Sequence, residues 1–294
     1  MKRSDRTVVT AEATLFPQGS SADSKWWFGS LICIHMNYVR DFIMIRSIIE
    51  FISAVKDDLT KWEPRITPWF RGESGNDPPL CPKVARYSAE HENYLLQSFR
   101  RKAGGLANTP PREQTDMWLF LAQHYGVPTR LLDWTEGALL GLYFAINQKK
   151  PNARIYMLNP HKLNELATGQ QSDYLNFPLS WLAGGYENVA LAWEERKPQR
   201  GFVLPIAVPA TYQDYRMISQ RSCFTIHGKA LKPLPDLLRN KGVELAECLI
   251  EYRVDIDAAT QLVEDLATLG ISGSTIFPDL DHLAKDISSE LGNP

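Results

Sequence analysis

From Asp41 the chain settles into a helical rhythm, with Phe42, Ile45, Ile48, Ile49, Ile52 and Val55 recurring at steps of three and four. Side chains so spaced share one face of a helix, so the pattern predicts an amphipathic helix from Asp41 to about Trp62, ended by Glu63-Pro64. Ile66 to Gly72 reads as a short strand. Pro68 has no amide donor to give a ladder, which predicts an edge position or a short pairing. The stretch ESGNDPPLCP that follows is broken by its prolines and glycine into a loop. Helices are predicted at about 88–103 and 112–125. The second stops at Gly126-Val127-Pro128, where glycine accepts a left-handed backbone and proline bars continuation. Thr129 to Trp134 is a strand or turn, Glu136 to Gln148 a strongly apolar helix, and Ala153 to Leu158 a strand. Residues 161–200 are mixed and loop-rich. Strands return at 202–208, 222–227 and 247–254, Asp257 is placed to cap a helix at 258–269, and residues 274–291 are mostly helical.

No internal repeat appears, and strands and helices interleave irregularly. That favours an α+β fold, a mixed sheet with flanking helices, over a doubly wound parallel sheet. Residues 1–25 are polar and Ser-rich without a period, which reads as a mobile tail, and WWFGSLICIHMN at 26–37 as a strand or an added piece of core. The expected organisation is an N-terminal extension over residues 1–40 and one domain over residues 41–294.

Composition narrows the function. With 294 residues, 44% hydrophobic and 22% charged, the chain is in the globular range. Its 32 basic and 34 acidic side chains give a formal charge of -2, so no global positive field draws nucleic acid. Arg100-Arg101-Lys102 is the densest basic run and reads as a solvated helix end. Cys33, Cys81, Cys223 and Cys248 are far apart and form no metal-ligand or disulfide spacing, which suits a reducing compartment and a cytoplasmic location. No run of about 18 apolar residues predicts a membrane span, and no leader pattern opens the chain. There is no GxGxxG after a strand, no GxxxxGK[ST], no HExxH and no GxSxG, so several enzyme classes lack motif support.

What remains are polar groups in apolar surroundings. Arg71 follows Trp69-Phe70 at a strand end; half-buried there, its guanidinium needs either an internal carboxylate or an anionic ligand. Gly72 beside it would let ligand atoms approach the backbone. Gln123 to Thr135 packs His124, Tyr125, Arg130, Asp133, Trp134 and Thr135 into a connection between two apolar helices, where functional groups tend to sit. Arg130 and Asp133 could instead pair with each other. Ser219 to Gly228 offers Gln220 and Ser222 to a cleft or to a turn. Phe277-Pro278-Asp279-Leu280-Asp281 has the make-up of a helix N-terminus.

All four of these stretches carry a family resemblance. Trp69-Phe70-Arg71-Gly72-Glu73-Ser74 looks like the Phe-Arg-Gly motif that names the FRG domain family. AQHYGVPTRLLDWT at 122–135 with ALLGLYFA at 138–145 resembles its second signature, and QRSCFTIHG at 220–228 and STIFPDLD at 274–281 its later segments. Ser222 stands where the family tends to have glycine. The resemblance covers about residues 41–290 and implies a bacterial defence or toxin-like context. A weaker likeness is to the ADP-ribosyltransferase fold, a mixed, mostly antiparallel sheet with flanking helices. It implies an enzyme that cleaves the nicotinamide-ribose bond of NAD and passes ADP-ribose to a protein, a nucleic acid or water, with no metal.

On that likeness Arg71 holds the diphosphate, His124 and Thr135 the ribose, and Asp133 or Gln220 faces the anomeric centre. Gly72, Tyr125, Arg130, Trp134 and Ser222 complete the NAD site, with Tyr125 or Trp134 stacking the nicotinamide. Gln220 stands where a catalytic carboxylate is expected, and Glu73 and Asp133 are the acids that could serve instead. The alternatives are a non-catalytic nucleotide- or protein-binding module of a defence or toxin–antitoxin system, with a regulatory or antitoxin protein as partner, and a nuclease.

Overall fold

We describe the protein from a computed structural model over residues 43–63, 66–106, 109–111, 114–169, 202–209, 212 and 214–290. The sequence readings for 1–40 and for most of 161–200 lie outside these residues.

The first helical pattern divides. Met44–Ile45 is a two-residue strand, β1, and Ser47 then caps α1 (Ile48–Leu59) by accepting a hydrogen bond from the Glu50 amide at 3.2 Å. Such a cap stabilises a helix by about 1 kcal/mol. Ile45 is fully buried because β1 runs parallel to a late strand, a partner that helical periodicity cannot announce.

The next elements are β2 (Trp69–Glu73), a 3-10 turn at Lys83–Arg86, α2 (Ala89–Ala103), α3 (Thr115–His124), β3 (Leu131–Thr135), α4 (Ala138–Ile146), β4 (Arg154–Leu158) and α5 (Pro160–Thr168). After them come β5 (Ile206–Pro209), α6 (Tyr215–Ser219), β6 (Ser222–Ile226), α7 (Leu234–Asn240), α8 (Leu245–Cys248) and β7 (Leu249–Val254). A 3-10 turn at Ile256–Ala258, α9 (Ala259–Thr268), α10 (Gly273–Ile276) and α11 (Leu280–Glu290) complete the order.

Among the described residues seven strands form one sheet, in the order β1-β7-β4-β2-β3-β6-β5. Only β1–β7 is parallel; every other neighbouring pair is antiparallel. The fold is therefore α+β, with a mixed, mostly antiparallel sheet and flanking helices.

Two local expectations change. β2 lies in the middle of the sheet, between β4 and β3, so the edge position is corrected, while its pairing with β3 is short, a single residue pair. Pro68 precedes its first paired residue, Trp69, and so removes no donor from the ladder. Asp257 does not cap α9; Asp255 instead accepts from the Asp257 amide at 3.1 Å and starts the 3-10 turn that leads into it.

The sheet is buried on both faces. Phe70, Ile155, Met157 and Tyr252 meet α1, α4 and α9 on one side. Trp69, Leu132, Trp134, Tyr156 and Leu158 meet α5 and α7 on the other. A smaller cluster joins Leu119 and Phe120 of α3 to β5 and β6. Among the described residues no helix is long and apolar enough to cross a membrane.

Candidate functional site

The site begins where β2 and β3 part. The two strands register only one pair, Phe70 with Thr135, whereas β2 registers five with β4. Beyond that single pair the carbonyl of Asp133 has no β2 residue opposite it. Arg71 takes the place of a strand: its Nη1 donates to the Asp133 carbonyl at 2.6 Å. Its Nε donates to Glu73 Oε1 at 2.7 Å, and Glu73 Oε2 accepts from the Leu80 amide at 3.1 Å. Asp133 Oδ2 stands 3.8 Å from Arg71 Nη1 and accepts from Gln123 Nε2 at 2.8 Å; Gln123 Oε1 in turn accepts from the Thr129 hydroxyl at 2.5 Å. Burial would lower the proton affinity of the Arg71 guanidinium, but the carboxylates of Glu73 and Asp133 reverse that and raise its pKa. Of the two partners that the sequence leaves open for Arg71, an internal carboxylate is present.

Gly72 has a packing task that its sequence context does not announce. A Cβ there would lie 2.1 Å from the carbonyl oxygen of Gly141 and 2.3 Å from the amide of Ala145. Gly141 has the reciprocal constraint, a Cβ falling 2.8 Å from that of Phe70. The glycine of Phe70-Arg71-Gly72 thus lets α4 press directly on β2, and the same residue also lines the pocket beside this junction.

A pocket of about 410 Å³ opens beside this junction. Arg71, His124, Asp133, Thr135, Gln220 and Ser222 all line it, although they come from four separate stretches of chain. Asp133 is the exposed position of β3, its side chain 56% accessible. Thr135 and Ser222 are opposite each other in the β3–β6 ladder, and the Thr135 hydroxyl accepts the Gly137 amide at 3.0 Å ahead of α4. His124 closes α3 and places Nδ1 3.2 Å from Asp214 Oδ2. Gln220 follows α6 and donates weakly to the Ile276 carbonyl at 3.4 Å.

Three residues of the sequence-derived set face elsewhere. Tyr125 is exposed, off the pocket wall, with its ring 4.9 Å from that of His124. Arg130 is buried and forms a two-pronged pair with Glu92, Nε to Oε1 at 2.7 Å and Nη2 to Oε2 at 2.5 Å. Its Nη1 serves the carbonyls of His227 at 3.0 Å and Gly228 at 2.9 Å. It therefore ties α2 to the end of β6, and its partner is Glu92 rather than Asp133. Trp134 borders the pocket, but its indole belongs to the core below the sheet and donates to the Thr225 hydroxyl at 3.0 Å. No nicotinamide-stacking face is left on it.

Other residues, which the sequence does not mark as site residues, enter the wall. Phe144 of α4 and Phe277 supply rings, 6.1 Å apart and edge to face. Asn147, whose buried Oδ1 has no hydrogen-bond partner among the described residues, lines the same side. Lys83 and Arg216 add two cations, and the Arg216 guanidinium lies 4.9 Å over the Phe277 ring. Phe277 stands in the stretch read as a helix start, and Asp279 does cap α11, accepting the His282 amide at 2.8 Å.

This arrangement, an arginine locked into a strand gap by two acids beside a polar pocket, coincides with a known sequence family. Residues 67–154 match the FRG domain. The FRG match begins just before β2 and stops at the first residue of β4, so it contains Arg71, Gly72, the 123–135 connection and α4. Gln220, Ser222, Arg216 and Phe277 complete the pocket from beyond the FRG match. No curated protein and no solved structure matches the chain.

Proposed function

We propose that the pocket binds NAD and cleaves its nicotinamide-ribose bond, in the manner of an ADP-ribosyltransferase. The observation that carries this reading is the meeting of Arg71, His124, Asp133 and Gln220 on one pocket wall. In such a reaction the C–N bond breaks with its electron pair leaving on nicotinamide, and the ribose carbon becomes an oxocarbenium ion. Asp133, exposed to the pocket and oriented by Gln123 and the nearby Arg71, supplies the negative charge that stabilises it. Gln220 lacks that charge and is suited to a ribose hydroxyl, as are His124, Thr135 and Ser222. Water or a macromolecular nucleophile then bonds to the ribose carbon and gives up its proton to solvent or to Asp133. Arg71 supports this chemistry by fixing the main chain of Asp133.

The test is purified full-length protein incubated with NAD, with nicotinamide release and ADP-ribose labelling read by mass spectrometry. Wild type should turn NAD over, and Asp133→Asn should lose about 100-fold or more of the rate. Background release from both proteins, with no labelled acceptor, would reject the enzyme. NAD binding without turnover would instead favour a nucleotide-binding module, the second reading, which the neutral Gln220 in the expected acid position supports.

A further inference from the structure

Arg71, Lys83 and Arg216 all line the pocket, but they are not equivalent as partners for an anion. Arg71 is held by Glu73, which is off the pocket wall, and stands beside Asp133, so its charge is already matched by two carboxylates. A phosphate placed there would meet the Asp133 carboxylate and a guanidinium already paired with Glu73. Arg216 and Lys83 take part in none of the ion pairs found among the described residues. Arg216 is held in place another way, by lying 4.9 Å over the Phe277 ring, a contact that positions a guanidinium without neutralising it. The Phe277 ring is itself steadied by stacking on His282, with 4.4 Å between ring centroids and 16° between planes. His282 is bound through Nδ1 to Asp279 at 2.8 Å.

We propose that Arg216, seated on Phe277 and assisted by Lys83, is the diphosphate anchor of this pocket, and that Arg71 is a framework arginine. The assignment deepens the NAD reading and rests on it for the remainder of the ligand; the diphosphate site stands on the charges alone. A planar guanidinium with its edge free can take two phosphate oxygens at once, and a lysine adds a point charge. The pocket is then polarised, anion-binding toward Arg216 and cation-stabilising toward Asp133, which is the separation that a diphosphate and a developing oxocarbenium ion require of one site.

The test uses full-length protein and two probes, inorganic pyrophosphate and ADP-ribose, in calorimetric titrations at low salt, alongside the nicotinamide-release assay. Arg216→Ala should weaken both probes at least tenfold, Lys83→Ala several-fold, and Arg216→Lys should fall between Arg216→Ala and wild type. Thermal melts establish that each variant is folded, and Lys83→Ala, which disturbs no ring contact, remains informative if Arg216→Ala is not. The assignment is overturned if wild type binds neither probe, if Arg216→Ala and Lys83→Ala both bind pyrophosphate as wild type does, or if Arg71→Gln alone abolishes it. Pyrophosphate bound through Arg216 without nicotinamide release would uphold the anchor and sink NAD cleavage. Nicotinamide release that continues unchanged in Arg216→Ala would do the reverse.

Discussion

Arg71 holds the main-chain oxygen of Asp133 at 2.6 Å while Glu73 holds Arg71 at 2.7 Å, so a carboxylate two residues along β2 fixes the course of β3. Glu73→Gln keeps the size of the side chain and removes the charge. It should cost about 1–2 kcal/mol of stability, read from the midpoint of urea unfolding. Arg71→Lys should not restore the wild-type value in any combination, because one ammonium cannot span Glu73 and the Asp133 carbonyl as a planar fork does. Equal midpoints for wild type and Glu73→Gln would show that Arg71 is held without its acid.

Gly72→Ala should be more damaging than its single methyl suggests. The added carbon would meet the Gly141 carbonyl at 2.1 Å, which is backbone and cannot swing aside. A loss of about 3 kcal/mol, or failure to fold, is expected from such overpacking. Near-wild-type stability by chemical denaturation would mean that α4 lifts from β2 freely.

Arg130→Ala should cost about 3–5 kcal/mol, because Glu92 is left half-buried without its cation and two carbonyls lose their donor. Arg130→Lys should recover only part of this. The Lys variant tests geometry against charge: full recovery in a thermal melt would show that charge alone suffices.

His227 is fully buried, and among the described residues neither ring nitrogen has a partner at hydrogen-bond geometry, although a backbone group of Lys232 lies near the ring. Burial, and then the Arg130 guanidinium, push its pKa down to about 3. The unfolded chain, with an ordinary value of about 6.5, therefore takes up this proton first as pH falls. Stability from this group is complete above pH 6.5 and is lost progressively down to about pH 3, by about 2 kcal/mol between pH 7 and pH 5. His227→Leu should flatten that part of the stability–pH curve. A slope identical to wild type would place the titration elsewhere.

Much of the architecture is legible where local physics decides. Helices α2, α3 and α4 and strands β3, β4, β6 and β7 lie within a few residues of their periodic patterns, because each has a caps-and-breakers signature such as Ser88 or Gly126, whose φ is +78°. The central place of β2 was not legible, since sheet order is fixed by contacts between distant segments and Pro68 misleads by one residue. Arg71 and Asp133 stand out in the sequence because polar groups in apolar runs demand partners. Arg216 does not: it is ordinary among its own neighbours, and Phe277 stands out only as part of a helix start, so their pairing acquires meaning only when α6 and the segment before α11 are brought to the same wall. Gly72 lines the pocket, but its packing against α4 was not legible for a related reason. A glycine signals a close approach, but the sequence does not say whether a ligand or a helix makes it.

The parallel pairing of β1 with β7 joins Ile45 to Val254, and β7 is also the strand that separates β1 from β4. A ribosome therefore releases the sheet out of spatial order. Until residues 154–158 have emerged, β2 lacks the partner with which it registers five of its six pairs, and β1 has no partner until the chain reaches Arg253 and Val254. Completion of the sheet waits for about 200 intervening residues, which makes closure a late, non-local event. Until then the apolar face of β2 beneath α4 has only a part of its cover, and this is the interval in which a nascent chain of this topology is most exposed to aggregation and most in need of a chaperone.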